Sequence, residues 1–228
     1  MINNKISSYL ALFSHEIKSP LNTIINSAKL IELNLSDEKK IKRYLSLIMS
    51  SSLYLKTLIQ NTIELGRLDF NKELHLEKFD VMDIINEIVD LTKIMVEGKN
   101  IEVILHSSKE RIFVVSDQIK VRQILLNISS NAAKFTMQGY IKFIIDEIQD
   151  GVLINVKDTG CGIKKEQLDK VFNPYCSLER RYETLQESTG LGLFITKELL
   201  SLLGGCISIK SEYNKGTEVE IFIPSKDL

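Results

Sequence analysis

Residues 10–35 read LALFSHEIKSPLNTIINSAKLIELNL, and their apolar or small positions Leu10, Ser14, Ile17, Leu21, Ile24, Ala28, Ile31 and Leu35 advance by alternating steps of four and three. That alternation is the seam of a helix packed against other helices. Ser36-Asp37-Glu38 then offers a turn and a new N-cap, Ser36 or Asp37. The alternation restarts at Ile41, Leu45, Ile48, Ser52, Leu55, Ile59 and Thr62, drifts into Leu65 and Leu68, and stops at Asp69-Phe70-Asn71. A lone two-helix hairpin covers both seams poorly, whereas two hairpins can close a four-helix bundle. The reading is an all-α hairpin over residues 1–70 that pairs with a second copy as a homodimer.

Inside the first helix, Pro20 removes a backbone donor and predicts a kink just upstream, one turn after His15. His15 lies one position past the seam residue Ser14, so its imidazole should point away from the bundle core. A helix-borne histidine of this kind is either a solvated or capping side chain or, with Glu16 beside it, a nucleophile whose tautomer a carboxylate fixes. Ser19, next to the proline, is either a backbone-satisfying hydroxyl or part of that chemistry.

Beyond about residue 72 the period changes. Glu73–Phe79 alternates like a strand, Val81–Val96 reads as an amphipathic helix, and Ile101–His106 and Arg111–Val115 as short strands. A helix is expected over Asp117–Lys134, then a hairpin from Tyr140–Ile148 and Val152–Val156 with Asp150-Gly151 at its turn. A helix over Gly190–Leu203 and strands Cys206–Ile209 and Thr217–Ile223 complete the chain. Mixed strands with a few long helices predict an α/β sandwich over residues 71–228.

The 228 residues, 44% of them hydrophobic, suffice for one large or two ordinary cores. Twenty-nine Lys and Arg against thirty Asp and Glu leave a net charge of −1, so there is no electrostatic footprint for nucleic acid. No apolar run reaches membrane-span length and the N-terminal residues have no signal-peptide core, so an aqueous compartment is expected for this stretch, and three cysteines without a disulfide framework fit a reducing cytoplasm. Cys161, Cys176 and Cys206 have no CxxC spacing and are read as thiols; His15, His75 and His106 form no metal cluster. Any metal would then arrive with a nucleotide.

Three strings in the second unit are suited to holding one. On the helix from Asp117, Asn127, Asn131 and Lys134 share a face opposite Val121, Ile124, Leu125 and Ile128, either as a solvated stripe or as a phosphate and metal site. Asp158-Thr-Gly160-Cys-Gly162 follows a strand, as a tight turn or as a place where backbone approaches a ligand. Thr189-Gly190-Leu191-Gly192 opens a helix, where free N–H groups favour anions. Between Phe172 and Gly190 runs a long polar connection carrying Tyr175, Arg180 and Arg181.

In this order and together, HEIKSP at 15–20, NISSNAAK at 127–134, DTGCG at 158–162 and TGLGL at 189–193 resemble the core of a bacterial two-component sensor histidine kinase, over residues 5–225. The resemblance implies a GHKL-type (Bergerat) ATP-binding domain after the dimeric four-helix bundle. It makes His15 the phosphoacceptor and Glu16 the acid that accepts or orients its proton. Asn127 would be the Mg²⁺ ligand, with Asn131 and Lys134 on the phosphates. Asp158 would accept from the adenine amino group, with Gly160 and Gly162 admitting backbone to the base, so ATP is implied over GTP. Thr189, Gly190, Leu191 and Gly192 would close on the phosphates beneath a lid that includes Phe172 and Tyr175. Ser19 departs from the family's usual Thr or Asn four residues after the His but retains a hydroxyl suited to phosphatase chemistry. Asn214-Lys-Gly resembles a last glycine element, with Asn where the family often has Gly.

The expected activity is ATP-dependent autophosphorylation of His15 and transfer of the phosphoryl group to an Asp on a response-regulator receiver domain. Residues 68–74 would be the hinge between the two units. The chain is expected to be part of a longer membrane-anchored receptor, touching the membrane only through segments upstream. A chaperone- or topoisomerase-type ATPase and a protein serine kinase are the rival enzymes. A nucleotide-gated dimerisation module is the rival without catalysis.

Overall fold

In the computed structural model, the described residues are 2–33, 37–70, 73–174, 176 and 190–226; for helical residues 2–16, 50, 53, 54, 57, 60, 61 and 64–70 the description covers the backbone alone. The heptad segments form two long helices, α1 (Ile2–Glu32) and α2 (Glu38–Phe70). Asp37 is the N-cap: its carboxylate accepts from the Lys40 amide at 3.1 Å, while Ser36 lies outside the described residues. Pro20 sits inside α1 without ending it, and the Thr23 hydroxyl donates to the Ser19 carbonyl at 3.1 Å. The helices pack on one another, yet the seam residues Leu21, Leu45 and Ile59 remain 44%, 49% and 46% exposed. A single hairpin leaves its seam partly uncovered, as the alternation implied.

The second unit holds β1 (Glu77–Asp80), α3 (Val81–Met95), β2 (Asn100–Ser107), β3 (Phe113–Ser116), α4 (Gln118–Phe135), β4 (Gln138–Ile148), β5 (Gly151–Asp158), α5 (Lys165–Leu168), α6 (Gly192–Leu203), β6 (Cys206–Glu212) and β7 (Gly216–Pro224). Five strands form one sheet in the order β2-β4-β5-β7-β6. β2 and β4 run parallel and the other neighbours antiparallel. α4 lies in the connection that a parallel pair requires.

Alternation along the central strands sends Ile141, Phe143 and Ile145, Val152, Ile154 and Val156, and Ile221 and Ile223 to one buried face. Against it pack Ile85 and Ile88 of α3, Ile124, Leu125 and Ile128 of α4, and Leu199 and Leu203 of α6, all fully or almost fully buried. The result is a two-layer sandwich with its helices on one face. Leu58 of α2 has no exposed surface and belongs to the same apolar cluster, and α2 touches α6, so the hairpin is seated on the sandwich.

The strand expected over Glu73–Phe79 is confined to β1, which pairs only with the four residues of β3 in a separate two-stranded sheet. Upstream of it the His75 amide donates to the Asp117 carboxylate at 3.1 Å, so that backbone is satisfied by a side chain and not by a ladder. The short helix α5 has no sequence signal, because one turn is too brief to show a period.

Candidate functional site

Helix α4 carries the polar stripe. Its N-cap is Asp117, 1% exposed, whose carboxylate accepts from the Lys120 amide at 3.1 Å and the Lys120 ammonium at 2.6 Å. Burial alone would raise this carboxyl; the Lys120 ammonium and the Lys120 and His75 amides outweigh it and hold the group below the usual range. Opposite the buried face, Asn127, Asn131 and Lys134 are half-buried, which separates them from an ordinary solvated stripe.

What covers them is the start of α6. The Asn127 amide Nδ2 donates to the Gly192 carbonyl at 3.3 Å. A Cβ at Gly192 would lie 3.8 Å from Asn131 Nδ2 and 3.9 Å from Asn127 Oδ1. Gly192 is the first residue of this 12-residue helix and the buried Leu191 is its N-cap, so the positive end of the helix dipole faces the stripe. Gly190, at φ +64, turns the chain into that position.

The other end of α4 meets the glycine loop that follows β5. The Cys161 amide donates to the Phe135 carbonyl at 3.2 Å, and the Asn214 amide to the Cys161 carbonyl at 2.7 Å. A side chain at Gly160 would approach the Phe135 carbonyl to 2.6 Å, and Gly162 takes φ +63 where an added Cβ would clash with the Glu212 carbonyl. Lys134 places its ammonium over the Phe135 ring at 5.5 Å.

Asp158 ends β5 in phase with Ile154 and Val156, and so projects into the helix-covered face. It is 8% exposed, and Gly160 donates its amide to Oδ1 at 2.8 Å. Burial pushes its carboxyl up to about 6, against the pull of the Gly160 and Thr217 amides. The same burial, with the Asp158 charge nearby, raises the Cys161 thiol, so this cysteine is a poor nucleophile.

Three residues that sequence reasoning passed over hold the site together. Thr159 Oγ1 accepts from the Tyr140 amide at 2.9 Å and donates to the Gln138 carbonyl at 3.0 Å, pinning the glycine loop to β4. Ser211 Oγ accepts from the Ile163 amide at 2.8 Å and donates to the Gly216 carbonyl at 2.9 Å. Lys99 donates from Nζ to the carbonyls of Ala133 at 2.6 Å and Thr136 at 3.2 Å, capping the end of α4. Thr159 lay inside a quoted motif; nothing in the sequence marked Lys99, whose partners are more than thirty residues away.

His15 and Glu16 lie on α1 by their backbone, with side chains outside the described residues, and Ser19 is exposed on the same helix. Thr189, Tyr175, Arg180 and Arg181 also lie outside the described residues. Phe172, half-buried, lies under the Lys197 ammonium of α6 at 5.3 Å. Among the described residues no three His, Cys, Asp or Glu side chains form a metal-holding group, and no helix is long and apolar enough to cross a membrane. The three cysteines are free thiols, as read from their spacing. Asn127 nonetheless fits a Mg²⁺ that comes with phosphate: its nitrogen is engaged by Gly192, which leaves a half-buried amide oxygen as a hard ligand.

A helical hairpin seated on a sandwich, with a polar helix stripe met by a glycine-opened helix terminus and a buried carboxylate at the end of β5, is the make-up of a nucleotide-binding module joined to a helical unit. Residues 6–71 match the His Kinase A (phospho-acceptor) domain, and residues 116–227 match the histidine kinase-, DNA gyrase B- and HSP90-like ATPase. The chain belongs to the sensor histidine kinases, of which it is a cytoplasmic-type core. It is 31% identical over 225 residues to the autoinducer 2 sensor kinase/phosphatase LuxQ of Vibrio cholerae, an alignment that covers 96% of this chain and 26% of LuxQ. The chain therefore spans about a quarter of the length of that relative. Full-length ShkA, solved with AMPPNP, is similar at 26% identity and a TM-score of 0.66, covering 96% of this chain and 47% of that one. Histidine kinase ThkA, solved with the response regulator TrrA, shares the fold at 24% identity and a TM-score of 0.78, covering 98% of this chain and 64% of that one.

Proposed function

We propose that this chain is the catalytic core of a histidine autokinase, in which residues 1–70 dimerise and carry the phosphoacceptor and residues 71–228 bind ATP. The observation that carries this reading is the meeting of Asn127 and Asn131 with Gly192 at the start of α6, while Asp158 is buried at the end of β5 on the sheet face that the helices cover. An anion at the α6 terminus and an adenine amino group at Asp158 would together span ATP. The similarity to ShkA, which was solved with an ATP analogue, supports the same ligand.

In this reading Asp158 accepts from the adenine, Gly160 and Gly162 admit backbone to the base, and Asn131 and Lys134 hold phosphate oxygens. Thr189, Gly190, Leu191 and Gly192 close on the phosphates. Asn127 holds Mg²⁺, which supplies neutralisation of phosphate charge. An imidazole nitrogen of His15 attacks the γ-phosphorus in line; the N–P bond forms, the bond to the bridging oxygen breaks, and ADP leaves with that electron pair. Glu16 takes or orients the imidazole proton. Positioning contributes most of the rate, so the seat of α2 on α6, with residues 68–74 as hinge, governs when His15 reaches the nucleotide.

The uncovered seam residues Leu21, Leu45 and Ile59 support a homodimer. The phospho-acceptor match supports a response-regulator receiver domain as the recipient of the phosphoryl group, and Ser19 is proposed to take part in the reverse, phosphatase reaction. The net charge of −1 favours no nucleic-acid partner. As in the sequence reading, the location proposed is cytoplasmic, with any membrane link through other segments.

The test is incubation of the purified chain with Mg²⁺ and γ-labelled ATP, comparing wild type with His15→Ala. Acid-labile, base-stable label in the wild type alone is expected. A chain that binds ATP and dimerises without acquiring label would overturn autokinase activity and favour a nucleotide-gated module.

A further inference from the structure

Asn127 has two atoms at the end of its side chain, and the fold commits one of them. Its Nδ2 donates to the Gly192 carbonyl at 3.3 Å, a bond between helices α4 and α6 across 65 residues of sequence. A carbonyl accepts and cannot donate, so only one orientation of the amide satisfies this contact. In that orientation Oδ1 is turned away from the Gly192 carbonyl. It still lies on the open side of Gly192, 3.9 Å from where a Cβ would be, with Asn131 Nδ2 at 3.8 Å from the same point. The space that a side chain at 192 would fill is thus bordered by the amide oxygen of one asparagine and the amide nitrogen of the other.

We infer that the Gly192 carbonyl is a positioning group for the metal: by holding the Asn127 nitrogen it fixes Oδ1 beside the space that a side chain at 192 would fill, and it thereby makes asparagine, not aspartate, the competent residue at 127. This rests on the ATP reading above and adds a requirement to it. On charge alone aspartate would be the stronger ligand for Mg²⁺, because a carboxylate outcompetes a neutral amide. At this position, however, an aspartate loses the donor and turns a carboxylate oxygen toward a carbonyl oxygen at hydrogen-bond distance, with no proton between them. The carboxylate must rotate away, and the ligand oxygen is displaced with it. The same bond ties the ligand to the first residue of α6, so the metal ligand and the phosphate-facing helix terminus move as one.

The experiment measures AMPPNP affinity of the full chain with Mg²⁺ and again with EDTA, for wild type, Asn127→Asp and Asn127→Leu. The readout is the ratio of the two affinities, which cancels changes that affect nucleotide binding as a whole. The leucine variant sets the floor, having neither donor nor ligand. We expect Asn127→Asp to lose about tenfold of the wild-type Mg²⁺ gain, the scale of leaving one hydrogen-bonding group unsatisfied, and to fall near the leucine variant. An aspartate variant that keeps or exceeds the wild-type gain overturns the inference. A wild type with no Mg²⁺ gain at all overturns the ATP reading instead, so the two failures are distinct. A second measurement needs no folded variant. In the wild type, solvent exchange of the Asn127 side-chain amide, followed by NMR, should be slowed with or without Mg²⁺; exchange as fast as that of a free amide overturns the inference independently.

Discussion

The ammonium of Lys99 donates to the carbonyl of Ala133 at 2.6 Å, 34 residues further along the chain, and so holds the last turn of α4 in place. A helix ends with carbonyls that have no intrahelical partner and a negative dipole end, and a cation there satisfies both. That turn carries Lys134 and Phe135, the residues that link the polar stripe to the glycine loop. Lys99→Met should therefore cost about 1–3 kcal/mol of stability and weaken ADP binding several-fold. Urea unfolding and calorimetric titration check this; an unchanged midpoint together with unchanged affinity would reject it.

Asp117 caps the other end of α4, buried between Lys120 and the His75 amide. Asp117→Ala is expected to cost about 1–3 kcal/mol, combining a lost N-cap with the loss of the carboxylate partner of the half-buried Lys120 ammonium. Because the native carboxyl is held below its ordinary value, its contribution is present above about pH 4 and lost as pH falls through the lower native value. The gap between wild type and variant should accordingly narrow in acid. A gap independent of pH would show that the cap acts through packing alone.

For Asp158 the sign is opposite. Its native carboxyl is raised from 3.8 to about 6, so between those values the folded state binds more protons than the unfolded chain and stability contributed at low pH is lost as pH rises. Two pH units at about 1.4 kcal/mol each amount to about 3 kcal/mol. Relative to wild type, Asp158→Asn should gain on that order between pH 4 and pH 7. Chemical denaturation at the two pH values measures it, and a constant difference would contradict the raised carboxyl.

In the proposed ATP reading the same carboxylate accepts from the adenine amino group, and it accepts more strongly when ionised. Affinity for adenine nucleotide should weaken as pH drops through about 6, and the part of that change due to Asp158 should vanish in Asp158→Asn, which binds weakly throughout. Titrations at pH 5.5 and 7.5 on both proteins decide it. Parallel pH profiles for the two would rule out Asp158 as the source.

Gly162 combines φ +63 with a position where an added Cβ would fall on the Glu212 carbonyl. Gly162→Ala adds backbone strain and a steric clash, together expected to exceed about 1–2 kcal/mol, and displaces the glycine loop. Thermal unfolding should fall by several degrees and nucleotide affinity should drop with it. A variant as stable as wild type would place the loop in a different conformation.

The amino-acid sequence alone set the elements and the chemistry available to them. The alternation of four and three drew both helices of the hairpin, period two drew the central strands, and the spacing 127, 131, 134 put three polar side chains on one helix face, because these are local consequences of backbone geometry. It could not say whether that face met water or a partner. The tertiary structure decided it by laying the start of α6 over the stripe, so that Asn127 meets Gly192. It also shortened the first strand, since His75 gives its amide to Asp117, and it recruited Lys99, Thr159 and Ser211 as supports. Contacts between residues far apart in the chain depend on how layers close on a shared core, and periodicity carries no information about that closure.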